Sequence, residues 1–259
     1  MAVLERDRVL TYPERLDRLR ETKLAQTQEK QRVVGSMDHD DWALILPPED
    51  RREIVQAISG SGMPITDVLL KGFAITPNHP SGGFFGPKAV GENYRALMEA
   101  HPVYVDPLAS LAGGYSVNYS SYIKVQHPPE MDLGDLPERI KRYEMAAPVF
   151  GQQHFCQDMA IGLEAGYGGI LERIRHYRGE HGADKAGFFD GLEAVVVGLQ
   201  NWISRTAEAA REMAAAEENA QLRRNLLELA DMNAWLVDHP PRTFREACQW
   251  ILWFLIMAR

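Results

Sequence analysis

His154, Asp158, Cys156 and Cys248 are the side chains of this sequence best suited to chemistry, and no spacing among them names a reaction by itself. The two cysteines fit no metal-ligand pattern such as CxxC and cannot build a disulfide framework. They read as small core residues of a protein kept in a reducing compartment, the cytoplasm. A histidine can exchange a proton near neutral pH, so His154 could assist a leaving hydroxyl or deprotonate a substrate hydroxyl. It could equally be a histidine hydrogen-bonded inside a helix cap. Asp158, just ahead of a helical stretch opening near Met159, has the residue type of an N-cap. Asp38-His39-Asp40-Asp41 has metal-ligand residue types, but four consecutive side chains cannot converge on one ion, so it reads as a solvated turn. Gly82-Gly83-Phe84-Phe85-Gly86 lacks the lysine and the strand-to-helix setting of a phosphate loop and reads as a structural or lid loop.

These groups must be held by helices. Thr11 and Glu14 form a capping box that opens a charged helix running to about residue 30, with Leu16 and Leu19 as its apolar contacts, so it lies on a surface. A second helix is predicted over residues 48–58, and residues 60–86 form a long Gly- and Pro-rich loop. Val90, Tyr94 and Leu97 mark a short helix, and residues 103–119 read as extended chain or short strands. The second half carries three helical apolar stripes: Met159, Leu163, Tyr167, Ile170 and Ile174; Phe188, Leu192, Val195, Leu199, Ile203 and Ala210; and Leu222, Leu226, Leu229 and Leu236, interrupted by Asn233. Gly162, Gly166 and Gly169 would let another backbone come close to the first of these. A last helix opens at a second capping box, Thr243 and Glu246. Its apolar run of residues 250–258 is about half of the roughly 20 residues that span a bilayer, so it reads as buried. It has no Gly or Asn cap, which predicts that further chain or a partner supplies the other half of its packing.

Composition narrows the classes. The chain has 259 residues, 45% of them apolar, enough for a sizeable core. Its net charge of -8 gives no basic surplus for a nucleic acid partner. Residues 1–8 are charged with no apolar signal core behind them, so neither export nor membrane attachment is expected.

The order of several segments resembles the glycyl radical enzymes of the pyruvate formate-lyase-like family. Pro241-Arg242-Thr243-Phe244-Arg245-Glu246-Ala247-Cys248-Gln249 is similar to that family's "PA(R/K)(T/S)F(R/H)EA(L/V)Q" signature before a central barrel helix. The two preceding helices and the link Asp238-His239-Pro240 resemble its helix order, with a departure over residues 231–235. His154-Phe155-Cys156-Gln157-Asp158-Met159-Ala160-Ile161-Gly162-Leu163, with Gly166, Gly169 and Ile170, is similar to "GH..PDYEKVL..G..GI"; the His, Asp, Leu and glycines match and the Tyr-Glu-Lys triplet does not. Further upstream, only residues 103–106 and 113–115 match, at the place of a strand and a turn. The resemblance covers about residues 145–259.

The resemblance implies a chain that is mostly α-helical as given and forms the N-terminal portion of a ten-stranded α/β barrel of the glycyl radical enzyme type. Residues 1–145 would be an irregular and helical outer region, and residues 146–259 the helical surround of the barrel. It implies a lyase, of dehydratase type or cleaving a related C–O, C–N or C–C bond, or a formate acetyltransferase-like enzyme. A thiyl radical would take a hydrogen atom from a small polar substrate under anaerobic conditions. Decarboxylation of an aryl acetate and addition of a hydrocarbon to fumarate stay open. The radical Cys and Gly loops match nothing here, so neither Cys156 nor Cys248 takes the thiyl role. His154 is the implied catalytic residue, and Phe150, His154 and Asp158 the substrate-binding ones. Phe150 replaces the Arg of members that bind strongly anionic head groups, which disfavours a sulfonate substrate. No cofactor is expected in this chain. The implied partners are the remaining part of the enzyme or a complementary subunit, and an activating enzyme with S-adenosylmethionine and an iron–sulfur cluster; the complete enzyme would be a homo-oligomer. Two alternatives stand beside this: a stand-alone helical binding or scaffold protein without radical chemistry, and an unrelated helical enzyme using His154 as a base.

Overall fold

A computed structural model describes residues 5–34, 74–101, 103–113, 128–144 and 157–258. Phe150, His154, Cys156, Asp38-His39-Asp40-Asp41 and the helix expected over residues 48–58 lie outside the described residues.

The helices begin where their end groups are satisfied. In α1 (Tyr12–Val34) the Glu14 carboxylate accepts from the Thr11 N–H at 2.8 Å and from its hydroxyl at 2.9 Å, and it also pairs with Arg8. The helix runs four residues beyond the expected end and is mostly exposed where its side chains are described. In α2 (Pro87–Ala100), Pro87 starts the helix after Gly86 at a φ of 85°. Its last carbonyls are closed from outside: Arg205 donates to Met98 O at 2.7 Å and to His101 O at 2.8 Å. A seven-residue α3 (Leu136–Arg142) buries no side chain. The remaining helices are α4 (Met159–Glu180), α5 (Ala186–Ala216), α6 (Ala220–Leu236) and α7 (Phe244–Ala258). Among the described residues there is no strand.

Helix α5 is the centre, packed against α2, α4, α6 and α7. Its buried face differs from the expected stripe. Leu199, Ile203 and Ala210 are buried, but Phe188 is 49% and Leu192 38% exposed, while Phe189, Trp202, Thr206, Ala207 and Ala214 lie inside. The reason is that α5 is flanked on several sides, so its inner face is set by which neighbour each turn meets. Toward α2 that neighbour is backbone: a Cβ on Gly91 would sit 2.2 Å from Gly191 O, and one on Gly191 2.2 Å from Pro87 O. The two helices therefore touch through a seam without side chains.

Helix α4 contains one non-helical residue, Gly166, at φ 67°, where a Cβ would fall 2.4 Å from the carbonyl carbon of His239. Gly168 N donates to Asp238 O at 2.8 Å, and Gly162 carries the Trp250 ring. Close approach thus uses Gly162, Gly166 and Gly168. Gly169 meets only Ala165 of its own helix.

Asn233 does not break the α6 stripe. It is fully buried, donates to Leu229 O at 2.8 Å, and accepts from Trp253 Nε1 at 2.7 Å. Trp253 and Trp202 meet edge to face at 5.4 Å in the main core with Leu97, Met98, Leu229 and Leu236. The inner face of α7, formed by Trp250, Trp253 and Ile256, is therefore closed by this chain's own residues, so the expectation of further packing bears on its other half alone. The outer face is different: Phe244 is 86% and Leu255 51% exposed. No described helix is long and apolar enough to cross a membrane.

Residues 103–113 hold no strand: 103–106 lack regular structure, 107–108 form a turn and 110–112 a bend. Residues 114–119 of that expectation lie outside the described residues.

Candidate functional site

Asp158 is the one expected site residue that is described. It is exposed, it is the N-cap of α4, and its carboxylate accepts from Ala160 N at 3.1 Å. That is the capping job, worth about 1 kcal/mol. Phe150 and His154, the other two expected site residues, lie outside the described residues. One turn into α4, Gly162 admits the six-membered ring of Trp250, which stacks on Tyr167 at 5.1 Å. Tyr167 donates its hydroxyl to Trp250 O at 3.3 Å, and burial pushes that hydroxyl well above its ordinary range. Among the described residues, Trp250 Nε1 is the buried side-chain N or O atom that has no hydrogen-bond partner. An apolar, aromatic floor thus lies under the first turns of α4. Cys248, expected in the core, is half-buried on the outer side of α7. Its neighbours 246, 249, 250 and 253 take the inner face.

The polar residues of the 241–249 segment turn out to be a clamp. Gln249 is fully buried, and its amide pairs with both backbone groups of Ala112 at 2.8 Å. Arg245 Nε donates to Ser110 O at 2.8 Å, and its other nitrogens bind Glu228 and Asn225. Asn225 in turn donates to Pro107 O and Ala109 O at 2.8 Å. From the far side, Arg15 donates to Leu108 O at 2.8 Å. Three helices thereby satisfy the polar backbone of residues 107–112, which could not otherwise lie against the core. The sequence signal was present, since Gln249 is a polar residue at the start of an apolar run, but its partner 137 residues away was not legible.

The second capping box forms only in half. Glu246 N donates to Thr243 Oγ1 at 3.2 Å, whereas the Glu246 carboxylate turns to the Arg242 guanidinium and the Arg242 N–H. Arg242 also pairs with Asp231 and covers the Trp235 ring at 4.4 Å. Burial pushes the Glu246 carboxyl up, but the Arg242 contacts and the Thr243 bond outweigh it and hold it below the usual carboxylate value. A carboxylate with a lower pKa folded than unfolded stabilises the protein above its unfolded pKa and loses that contribution as pH falls through the folded one. Glu246→Gln should therefore cost about 1–2 kcal/mol near neutral pH. The variant and the parent should converge in urea titrations taken through and below the carboxylate range. A gap that persists unchanged in acid would contradict this.

The 78–85 loop is an ordered turn. Asn78 and Phe85 exchange two hydrogen bonds at 2.8 and 2.9 Å. His79 Nδ1 lies 2.8 Å from Ser81 Oγ, and Nε2 lies 3.1 Å from Glu130. This is the contact order of a hydrolytic triad, yet Ser81 N is engaged by His79 Nδ1, Gly82 N by His79 O and Gly83 N by Ser81 Oγ. No adjacent N–H pair is left for an oxyanion. The contacts tie Glu130 to the loop. Among the described residues no group of three or more His, Cys, Asp or Glu side chains could hold a metal ion.

Residues 142–259 match the family model described as pyruvate formate lyase-like. The probable dehydratase YbiW of Escherichia coli K12 is 31% identical over 108 residues, 38% of this chain and 13% of that protein. The isethionate sulfite-lyase of Nitratidesulfovibrio vulgaris is 35% identical over 71 residues, 27% of this chain and 8% of that protein. The 4-hydroxyphenylacetate decarboxylase glycyl radical subunit of Clostridioides difficile is 28% identical over 97 residues, 34% of this chain and 11% of that protein. Among solved structures, the glycerol-bound B12-independent glycerol dehydratase of Clostridium butyricum superposes with a TM-score of 0.51 at 15% identity, covering 67% of this chain and 29% of that one. A Roseburia inulinivorans structure concerned with 1,2-propanediol dehydration gives 0.52 at 17% identity, covering 68% and 29%. This chain thus spans less than a third of the relatives it matches.

Proposed function

We propose, for a chain whose residues 142–259 belong to the pyruvate formate lyase-like family, a part in a glycyl radical lyase. Its relatives include a probable dehydratase, a sulfite-lyase and a decarboxylase subunit, so bond cleavage is the shared chemistry. Within that class we read dehydration or a related C–O, C–N or C–C cleavage of a small polar substrate, with the radical Gly and its Cys on polypeptide outside this chain. The observation that carries the reading is the ordered match running from the His154 segment through α4 to the 241–249 signature. In it, His154 supplies proton transfer, Phe150 lines the substrate, and Asp158 fixes the start of the helix that follows. Phe150, an uncharged side chain, argues against a sulfonate substrate even with a sulfite-lyase among the relatives. The radical is installed by an activating enzyme that uses S-adenosylmethionine and an iron–sulfur cluster. The enzyme then works anaerobically in the cytoplasm, as a homo-oligomer.

The test is anaerobic co-expression with the polypeptide carrying the rest of the fold and with the activating enzyme, followed by electron paramagnetic resonance. A glycyl radical doublet is expected. His154→Gln should leave the doublet intact and lower turnover by about 10²-fold or more, the usual share of general acid–base catalysis. Absence of the doublet in every combination overturns the reading. A second reading, a helical scaffold without radical chemistry, is favoured by one observation: the inner face of α7 is already buried by this chain. Cooperative melting of a monomer that no other chain stabilises would support it.

A further inference from the structure

Helix α7 is apolar on both sides. Residues 247–258 include no charged side chain, and Trp250, Trp253 and Ile256 are buried on the inner face. On the opposite face Phe244, Cys248, Ile251 and Leu255 fall at i, i+4, i+7 and i+11, one stripe of a 3.6-residue helix. A surface helix carries polar residues on such a stripe, and a helix apolar all round is one that belongs inside. Here Phe244 is 86% and Leu255 51% exposed, with Cys248 and Ile251 half-buried between them. Beside the start of the stripe, α6 and α7 leave a groove of about 380 Å³ with Leu227, itself 51% exposed, and Met232 in its lining. Of the charges lining this groove, Arg245 pairs with Glu228, and Asp231 and Glu246 pair with the neighbouring Arg242, while Arg224 lines it as well. An apolar stripe bordered by a groove of mixed charge suits a permanent protein interface, with an apolar core and a polar rim, better than a strongly charged partner.

We infer that the Phe244, Cys248, Ile251 and Leu255 face of α7 is the surface on which the rest of the pyruvate formate lyase-like fold docks. This rests on the function proposed above. The occupant follows from the comparison of lengths. The two solved structures that share this fold do so over 67% and 68% of this chain but only 29% of their own, so most of their polypeptide has no counterpart here to cover such a face. A lipid surface fits less well, because the stripe has no basic residues along residues 247–258 and the helix is too short to span.

Cys248 makes the face readable. In a Cys156→Ser background it is the one thiol of the chain. Its rate of labelling by a maleimide is compared between the 259-residue chain and the whole assembly, in which the polypeptide carrying the rest of the fold is either continuous with this chain or supplied separately. Labelling should be at least about tenfold slower in the assembly. Phe244→Glu with Leu255→Glu, both at exposed positions, should leave the melting of the 259-residue chain unchanged and return the Cys248 rate in the assembly to within about twofold of the isolated chain. Equal labelling in chain and assembly, with an assembly that forms normally and yields the radical doublet, overturns the docking surface and leaves the proposed function standing. Protection of Cys248 that rises with concentration of the chain alone makes a second copy the occupant and overturns the inference. An assembly that fails to form with the parent chain, and yields no doublet, overturns the proposed function and the inference with it.

Discussion

Trp253→Ala is expected to remove about 4 kcal/mol of stability. Trp253 is fully buried, meets Trp202 edge to face, and donates its indole N–H to Asn233. Alanine leaves a cavity where three helices meet and also strands the Asn233 carbonyl oxygen in the core, so a packing cost and an unsatisfied acceptor add. Trp253→Phe separates them: it keeps most of the volume and loses the hydrogen bond, and should cost about half as much. Urea denaturation with unchanged m-values measures both. A loss below about 1 kcal/mol for the alanine variant would mean that α7 is not anchored as described.

Gly191→Val is expected to cost about 3 kcal/mol, at the upper end of overpacking effects. The first atom added would already sit 2.2 Å from Pro87 O, and the obstacle is backbone, which cannot rotate away as a side chain can. Relief requires α2 to move off α5, which would also pull Leu97 and Met98 from the core. Gly179→Ala is the internal control. A Cβ there meets nothing within 4 Å, so the helix propensity gain should stabilise by about 0.5 kcal/mol. Similar effects at the two positions would rule out the α2–α5 backbone seam.

Much of the helical frame was legible because its signals are local. The Thr11 and Glu14 box starts α1 where the pattern puts it, and Leu222, Leu226, Leu229 and Leu236 are all buried. Where a residue answers to distant neighbours, local reading erred. Phe188 and Leu192 fit a 3.6-residue stripe, yet Phe189 is the buried one, because α5 meets several helices and its inner face changes along its length. Glu246 has the spacing of a capping box, yet its carboxylate takes the guanidinium and the backbone N–H of Arg242 instead of the Thr243 N–H that a capping box would use. Asn233 looked like an interruption and is the partner of an indole 20 residues on.

The candidate site divides in the same way. The resemblance came from the order of short segments, and residues 142–259 match the pyruvate formate lyase-like model. Asp158 took the capping role that its place before a helix suggests. Phe150 and His154 lie outside the described residues, so their placing against a substrate rests on the anaerobic experiment.

By itself the sequence determined most of the helical frame and the likeness of residues 142–259 to the pyruvate formate lyase-like family. Periodicity, caps and motif order are properties of neighbouring residues, and they survive without a fold around them. Only the tertiary structure decided what the signature's polar residues do: Gln249 and Arg245, together with Asn225 of α6, hold residues 107–112 against the core through backbone hydrogen bonds. It alone also decided that α7 buries one apolar face and leaves Phe244 and Leu255 of the other exposed. A side chain's burial is a property of whatever lies opposite it, and no residue records its opposite in its own name.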